Sequence, residues 1–345
     1  MKILFLPNWT VSADSITSVD KRRTSDRYFF FKHFPEETTV DIIDIASNNP
    51  LHKIEKKIKF YIVQAFRAFG NDKGYDVVIS HGAQSGLVYS LLNVFRSPRK
   101  RPLHVIIDVG GLNGWRTNRI ETALIKFALK SKPAFICHAS IQMEQYGLIY
   151  QNVIKQARFI RFGIDMEEFH HPDCPVENYV LSFGYGARDY DTLIRAWGQI
   201  DTDAKLYIIG TCNLKIPPDV ILLPKTDIDT LNQYIAKSLF VALPLSYRKH
   251  SYGQTSFLQS MALGKPVIVT KTPGSVDYLI EGEGAYFVEP FDVNDLRDKI
   301  NCLLGNPELI KEQGKKAAEY VRREMNEAKM AMEIYRAIRE FAINR

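Results

Sequence analysis

The sequence predicts an α/β protein made of two halves, each with a parallel sheet covered by helices. Short apolar runs typical of buried strands alternate with segments of helical spacing, and two such series follow one another. Alternating strands and helices are typical of parallel sheets. At about 150 residues per domain, the 345 residues also favour two domains. We therefore expect two Rossmann-like domains.

Three strands and two helices are predicted in the first half. The strands are short buried runs, and the helices place apolar residues every three or four positions. The strands lie at residues 2–6 (KILFL), 76–80 (DVVIS) and 103–107 (LHVII), and the helices at residues 53–69 and 119–131.

The second half repeats the pattern with four strands and three helices. The strands lie at residues 179–183, 205–209, 239–243 and 266–270, and the helices at about 189–198, 228–237 and 254–263. Residues 307–345, rich in Ala, Glu, Lys and Arg, predict one or two further helices that pack back on the first half.

A polar, proline-containing segment at residues 163–175 separates the two series and predicts the joint between the domains. We expect an N-terminal domain at residues 1–165 and a C-terminal domain at residues 166–325. A last helix at residues 326–345 is expected to return to the N-terminal domain.

Composition excludes several classes of protein. With 46% hydrophobic and 24% charged residues, the chain is neither disordered nor of low complexity. The four cysteines are far apart and form no C-x-x-C pair, so neither a zinc site nor a disulfide framework is indicated, and a reducing cytoplasm is expected. No apolar stretch approaches the roughly 20 residues of a membrane span, and the start has no signal-peptide core.

Charge is divided unevenly along the chain. Residues 1–165 hold 24 Lys and Arg against 14 Asp and Glu, a net charge of +10, whereas the remainder has 21 against 25, a net charge of −4. Two basic features suit an anionic membrane surface, the amphipathic residues 53–69 and the run Arg96–Arg101. A core-packing helix with a solvated charged face is the alternative for residues 53–69. Nucleic acid is not expected as a partner, because no nucleic-acid-binding signature accompanies the charge.

A glycine turn before the third helix of the second half predicts an anion-binding site. Backbone N–H groups around Gly253, Gln254 and Thr255 lie at the positive end of the helix dipole, where a diphosphate can bind. Gln259, one turn further on, lies on the same face as Thr255, within reach of the sugar of a nucleotide. An ordinary helix capped by Ser251 or Thr255 is the alternative.

A second glycine-containing loop, GYGARD, begins at Gly184 and enters a helix through Arg188. Ligands of parallel sheets bind outside the carboxyl ends of the strands, which is where this loop is expected. The guanidinium of Arg188 suits a phosphate because its charge is permanent and its donors form a fork. The alternative is a solvated Arg188 paired with Asp191.

Six segments occur in the order expected of one known family. They are residues 76–86 (DVVISHGAQSG), 161–169 (RFGIDMEEF), 187–197 (ARDYDTLIRAW), 259–270 (QSMALGKPVIVT), 273–279 (PGSVDYL) and 288–296 (VEPFDVNDL). Together they resemble the retaining, nucleotide-sugar-dependent glycosyltransferases of the GT-B fold, the family-four or group 1 type. The resemblance covers nearly the whole chain.

The resemblance implies a GT-B fold in which an acceptor domain and a donor domain face a cleft. It implies front-face transfer with retention, for which no protein nucleophile, metal or cofactor is required. The donor would contact residues of the two glycine loops and the helix that follows: Gly184, Arg188, Ser251, Tyr252, Gly253, Gln254, Thr255 and Gln259. Arg188, the helix amides and Lys265 or Lys271 would stabilise charge on the leaving diphosphate.

Two side chains at strand ends are candidates for acid–base chemistry. Asp108, at the end of LHVIID, is the best-placed general base if the enzyme instead inverts, and His81 is the second candidate. Either residue has an alternative as a loop residue hydrogen-bonded to backbone amides.

The chain departs from the family pattern at two places. The family usually has two glutamates separated by seven residues, one near the donor sugar and one on the ribose, where this chain has Ser251 and Gln259. An amide at position 259 still binds a ribose but loses about 1–2 kcal/mol of a charge-assisted hydrogen bond. The usual glycine pair after the first strand is replaced by Pro7–Thr10.

The sequence therefore predicts a cytoplasmic glycosyltransferase of the hexosyltransferase type, peripheral on the inner face of the cytoplasmic membrane. Its donor is a UDP- or GDP-sugar, and its acceptor a glycan or a polyprenyl- or lipid-linked glycan in surface polysaccharide or glycoconjugate assembly. A non-catalytic relative acting as a nucleotide-binding or partner subunit is the alternative, suggested by Ser251 and Gln259. A nucleotide-sugar epimerase on the same fold is a third hypothesis.

Overall fold

A computed structural model describes residues 1–11, 30–45, 51–58, 60–110, 112, 119–150, 155–167, 169, 174–211, 216–248 and 252–344. The chain divides into two compact units. Unit 1 comprises Met1–Arg161 and Ala328–Arg345, and unit 2 comprises Phe162–Glu327. Each unit is built on a six-stranded parallel sheet with helices beside it, so the predicted α/β class with two Rossmann-like sheets is confirmed.

The sheet of unit 1 has parallel pairing throughout its described strands. The strands are β1 (Lys2–Leu6), β2 (Thr39–Ile42), β3 (Val77–His81), β4 (Leu103–Asp108), β5 (Ala134–Cys137) and β6 (Ala157–Phe159). They pair in the order β2-β1-β3-β4-β5-β6. β3 and β4 are buried along their whole length, as expected for central strands covered on both faces. The residues after these strands therefore share the carboxyl edge of the sheet.

The described helices of unit 1 that precede unit 2 are α1 (His52–Ile58), α2 (Ile62–Asn71), α3 (Ala83–Val94), α4 (Arg119–Ala128) and α5 (Ser140–Ile149). The single amphipathic helix predicted at residues 53–69 is wrong, because the chain breaks between α1 and α2. The buried carboxylate of Glu55 on α1 accepts a hydrogen bond from Val63 N in the first turn of α2 at 2.7 Å. This bond stabilises the start of the second helix.

The sheet of unit 2 is also parallel between its paired strands. Its strands are β7 (Tyr179–Gly184), β8 (Lys205–Gly210), β9 (Val220–Leu223), β10 (Val241–Leu243), β11 (Val267–Thr270) and β12 (Ala285–Val288). They pair in the order β12-β11-β10-β7-β8-β9, so β7 and β10 are neighbours at the centre. The helices are α6 (Tyr190–Trp197), α7 (Ile228–Lys237), α8 (Gln254–Ala262), α9 (Val293–Leu304) and α10 (Pro307–Glu324).

Apolar clusters fill the space between the second sheet and its helices. Phe257 and Met261 of α8 lie in one cluster with β7, β10 and β11, and Trp197 of α6 lies in another. Helices α6 and α8, which follow β7 and β10 at the carboxyl edge of this sheet, are thus held by fully buried side chains.

The last helix, α11 (Glu327–Ile343), belongs mostly to unit 1. Its Ile334 and Ile338 are fully buried, and the ring of Tyr335 meets that of Phe34 edge-on at 5.2 Å between centroids. The predicted return of the last helix to the first half is confirmed. None of the described helices is long and apolar enough to cross a membrane.

The two ends of unit 2 are joined by backbone hydrogen bonds. Ile164 N donates to Met325 O at 3.0 Å, and Glu327 N donates to Ile164 O at 2.8 Å. A side chain at Gly163 would collide with the backbone of Asn326, which explains a glycine there. The chain therefore enters and leaves unit 2 at adjacent positions.

Candidate functional site

Two loops meet at the carboxyl edge of the second sheet, one after β7 and one after β10. Asp189 N donates to Pro244 O at 2.7 Å, and Ser246 N donates to Ala187 O at 3.0 Å. Gly184, at the end of β7, has a φ of +132°, which favours glycine. The glycine loop predicted from the sequence is thus fixed against its neighbour.

Arg188 spans this edge with four hydrogen bonds. Its Nε donates to Phe183 O at 2.9 Å, and its Nη1 donates to Gly186 O at 3.2 Å. Nη1 also donates to Tyr252 Oη at 3.0 Å, and Nη2 donates to Ser256 Oγ at 2.8 Å. A guanidinium has five N–H donors, so one N–H on Nη2 has no partner among the described residues and is oriented for a ligand.

The backbone at Gly184 leaves no room for a side chain beside Arg188. A Cβ at Gly184 would lie 2.5 Å from Nη2 of Arg188. Gly184 is therefore required by the position of the guanidinium, and the roles of the two residues in binding a donor stay predictions.

Helix α8 begins beside the same loops. Gly253 precedes it with a φ of +79°, and a Cβ there would lie 2.9 Å from Cδ2 of Leu245. Gln254 is partly exposed and Thr255 is exposed. The first N–H groups of a helix have no partner within the helix, so this exposed start suits an anion. Ser251, the remaining predicted residue of the turn, lies outside the described residues.

Gln259 lies one turn into α8 and is almost completely buried. Its Nε2 donates to Oδ1 of Asn232 on α7 at 2.6 Å. Its Oε1 accepts no hydrogen bond from the described residues. The side chain is therefore oriented by Asn232 and retains an acceptor atom.

The two lysines predicted near the diphosphate have different positions. Lys265 precedes β11, at the opposite edge of the sheet, and its Nζ donates to Ser238 O at 2.7 Å. Burial lowers the pKa of Lys265 to about 8. The predicted diphosphate role is therefore wrong for Lys265. Lys271 follows β11 at the carboxyl edge, where its Nζ lies 3.6 Å from Oε1 of Glu289.

His81 ends β3 in unit 1 and is 9% exposed. Its Nδ1 lies 3.2 Å from Oδ1 of Asn8, and its ring meets that of Trp9 edge-on at 5.0 Å between centroids. Burial, with a smaller effect of His138, lowers the pKa of His81 to about 3. The imidazole is therefore neutral at neutral pH and suits hydrogen bonding better than proton abstraction.

Asp108 ends β4 on the same edge and is fully buried. From described residues, its carboxylate accepts hydrogen bonds from Gly110 N at 3.0 Å, Leu112 N at 3.4 Å, Gln142 Nε2 at 3.5 Å and Tyr146 Oη. A buried carboxylate with both oxygens engaged is poorly placed to receive a proton from a substrate. We therefore correct the general-base assignment: Asp108 fits the alternative, a residue that holds the loop after β4.

Several residues of these sites were missed by the sequence analysis. The contacts of Ser256 and Asn232 depend on how α8 packs against its neighbours. No local sequence pattern indicates such contacts. Asn8 lies in the segment where the family's glycine pair is absent. That departure from the family pattern was the one sequence signal that pointed to Asn8. Among the described residues, no group of three or more His, Cys, Asp or Glu side chains is placed to hold a metal ion.

Two parallel six-stranded sheets with flanking helices, one in each unit, define the class: the chain has the GT-B fold. A solved structure of Anabaena HepE in complex with UDP agrees, with a TM-score of 0.72 over 99% of this chain and 100% of HepE at 12% identity. HepE has also been solved with UDP and glucose and with UDP-glucose.

Residues 178–306, within unit 2, match the family described as Glycosyl transferases group 1, so the predicted resemblance is confirmed. The chain is 26% identical over 294 residues to an uncharacterized glycosyltransferase of Methanocaldococcus jannaschii, covering 78% of this chain and 79% of that protein. It is also 26% identical over 140 residues to CapM of Staphylococcus aureus, a capsular polysaccharide biosynthesis glycosyltransferase, covering 39% of this chain and 34% of CapM. The family match and these relatives support glycosyltransferase activity.

Proposed function

We propose that the chain is a hexosyltransferase that uses a nucleoside diphosphate sugar. The observation that carries this proposal is the guanidinium of Arg188, held near the start of α8 by Tyr252 and Ser256. The helix dipole adds positive potential at the same place. A diphosphate bound there would place the ribose towards Gln259, one turn along α8.

UDP is the favoured nucleotide, with GDP as the alternative. The support is that HepE, which shares the fold, has been solved with UDP and with UDP-glucose. The preference is tested by the binding experiment below.

We infer a front-face transfer that retains the configuration of the sugar. The acceptor hydroxyl forms a bond to the anomeric carbon as the bond to the diphosphate breaks, and the departing diphosphate oxygen takes the hydroxyl proton. Arg188 and the amides of α8 would stabilise the charge that develops on the diphosphate. The fully engaged carboxylate of Asp108 supports a route in which that residue is not the base.

The acceptor in this proposal is a lipid-linked glycan of surface polysaccharide assembly, reached at an anionic membrane. The name of CapM supports the pathway. On α4, Ile120 is 72% exposed and Leu124, one turn on, is 54% exposed, while Phe95 after α3 is 80% exposed. Such apolar side chains suit the membrane interface.

Basic side chains accompany this apolar surface. Arg99 and Lys100 follow Phe95 closely in the chain, and Lys126 lies on α4, and each is exposed. Each basic residue near an anionic membrane contributes about 1 kcal/mol. We therefore assign membrane docking to α4 and residues 95–100 rather than to residues 53–69.

A thermal-shift screen against UDP, GDP, CMP, dTDP and ADP, with their common sugar conjugates, tests the donor site. A ligand at 100 times its Kd stabilises the native state by about 2.7 kcal/mol. For a unit of this size we expect Tm to rise by roughly 5–10 °C with one nucleoside diphosphate. The rise should disappear in Arg188→Ala and persist in Arg195→Ala, an exposed arginine of the same helix.

A Tm rise of equal size in Arg188→Ala would contradict the proposed site. A flat response of folded protein to every nucleotide would favour the second candidate, a non-catalytic relative. The amide of Gln259, where the family has an acid, is the observation that favours this candidate. Release of UDP from a donor sugar distinguishes the two, because only the enzyme turns over.

A further inference from the structure

A cavity of about 420 Å³ lies at the amino edge of the sheet in unit 1. Its walls include residues just before β4, β5 and β6 and the end of α11. His81 and Asp108 lie at the opposite edge, roughly 17 Å away along β4 at about 3.3 Å per residue. The cavity is therefore separate from the strand ends considered above.

The lining of this cavity, which we call the basic pocket, contains five basic residues and no acidic ones. They are Arg101, Lys130, Lys132, Lys155 and Arg158. Arg158 forms an ion pair with Glu340 at 3.3 Å. Within the described part of the chain, no carboxylate oxygen comes within 4.0 Å of the amino groups of the three lysines. The charge of these lysines is thus not balanced by any carboxylate among the described residues.

Backbone hydrogen bonds hold the walls of the basic pocket in place. The guanidinium of Arg101 donates to the carbonyl oxygen of Arg96, to Val94 O at 3.3 Å and to Ser131 O at 3.4 Å. These bonds join the turn before β4 to the turn before β5. The positive charge of Arg101 is therefore fixed in the wall.

Like charges around one cavity repel, and the repulsion is relieved when an anion binds among them. Lysine and arginine are well suited to phosphate, and the cavity has the size of a small-ligand site. Leu103 and Phe341 add apolar surface to the lining. We propose that the basic pocket binds a multiply charged phosphate group, either a free oligophosphate or the phosphorylated headgroup of a lipid. This site is additional to the donor site proposed in unit 2.

The test measures binding of tripolyphosphate by calorimetry in the Arg188→Ala background, which weakens the proposed donor site. The pocket variant combines Lys130→Gln, Lys132→Asn and Lys155→Gln, with asparagine at 132 because that residue has a φ of +60°. The control variant removes the same charge from three exposed lysines elsewhere, by Lys73→Gln, Lys205→Gln and Lys311→Gln. We expect at least a tenfold loss of affinity in the pocket variant and less than a twofold change in the control.

A second arm measures co-sedimentation with vesicles of phosphatidylglycerol and phosphatidylcholine. Loss in both arms identifies a lipid headgroup as the source of the phosphate, whereas loss with tripolyphosphate alone identifies a free anion. Lys130→Arg with Lys155→Arg should retain binding. If the pocket variant melts early, Lys155→Gln alone should still weaken binding at least threefold. Equal binding by the pocket and control variants in both arms overturns the proposal.

Discussion

At the scale of single residues, the proposed donor site depends most on the guanidinium of Arg188 at the carboxyl edge of the second sheet. Because a hydrogen bond to a charged group contributes about 1.5–3 kcal/mol, we expect Arg188→Ala to weaken UDP binding roughly 10- to 150-fold. Calorimetric titration with UDP measures the change, with Arg195→Ala as the control. If a folded Arg188→Ala protein binds UDP with unchanged affinity, the guanidinium does not contribute to the donor site.

Gln259→Glu restores the acid that the related family carries. At present Gln259 Nε2 donates to Asn232 Oδ1 at 2.6 Å. If the amide of Asn232 rotates, its nitrogen can donate to the new carboxylate instead. We expect UDP affinity to be kept or raised by up to about tenfold, since a charge-assisted bond is stronger by about 1–2 kcal/mol. Gln259→Leu, which removes both polar atoms, serves as the contrast. A collapse of UDP binding in Gln259→Glu with an unchanged Tm argues against ribose contact.

The substitution Asp108→Asn distinguishes two roles for Asp108, which either holds the loop after β4 or acts as a general base. The new amide nitrogen would face a donor that now binds a carboxylate oxygen. We therefore expect the free energy of unfolding to fall by about 1–3 kcal/mol. Tyr146→Phe, which removes one of those donors, should have a smaller effect. Urea unfolding and turnover per folded molecule are the measurements. If the Asp108→Asn protein has normal stability but no turnover, Asp108 is a catalytic residue after all.

The parts of the candidate site that the sequence predicts are those with local signals. Arg188 and Gly253 each stand where a glycine-containing loop enters a helix, and a single segment of sequence shows this. The pairing of Gln259 with Asn232 depends on how α7 packs against α8, which no local pattern records. The burial of Asp108 likewise depends on Tyr146, from a helix 38 positions further along the chain.

At the scale of elements, three neighbouring strands of the first sheet carry or precede buried histidines. Burial lowers the pKa of His81 and His104 to about 3 and that of His138 to about 4. The unfolded chain binds protons near pH 6.5 and the folded chain does not, so stability falls as pH drops below 6.5. The slope is at most about 1.4 kcal/mol per pH unit for each histidine.

We therefore expect the urea midpoint to fall steadily from pH 7 to pH 5.5. His104→Gln removes one of the three groups without touching the carboxyl edge, because His104 lies between Ser80 and Ser90. The pH dependence should become shallower by about one third in this variant. An identical slope in both proteins would show that His104 titrates normally in the folded state.

The elements themselves follow the sequence closely where their apolar pattern is strong. The helix predicted at 228–237 coincides with α7, and the strand at 2–6 coincides with β1. The prediction fails at residues 53–69, where the apolar spacing continues across a break. Across the break, Val63 N of α2 donates to the carboxylate of Glu55 on α1, a contact between helices that periodicity does not reveal.

At the scale of the whole molecule, the unequal charge of the two halves predicts salt-dependent binding to anionic membranes. Replacing Arg99, Lys100 and Lys126 by glutamine should weaken binding to phosphatidylglycerol vesicles roughly 100-fold, at about 1 kcal/mol for each charge. Vesicle sedimentation at low and high salt measures this, since salt screens exposed charges. Arg101 is left in place because it binds backbone carbonyls.

The control is the exposed triple Lys73→Gln, Lys205→Gln and Lys311→Gln, which changes net charge equally. Equal losses in the two proteins would mean that total charge, rather than the surface of α4, governs binding. Ile120→Ser then separates the apolar contribution from the electrostatic one, because its effect should persist at high salt.

The hydrogen bonds that join Ile164 to Met325 and Glu327 have a consequence for the order of folding during synthesis. Unit 2 is continuous in the chain, and all of its residues are available for folding once Glu327 has left the ribosome. Unit 1 is interrupted by unit 2, and its core lacks Ile334 and Ile338 until α11 follows. Synthesis of unit 2 begins after that of unit 1, but unit 2 is the first of the two that can complete its core.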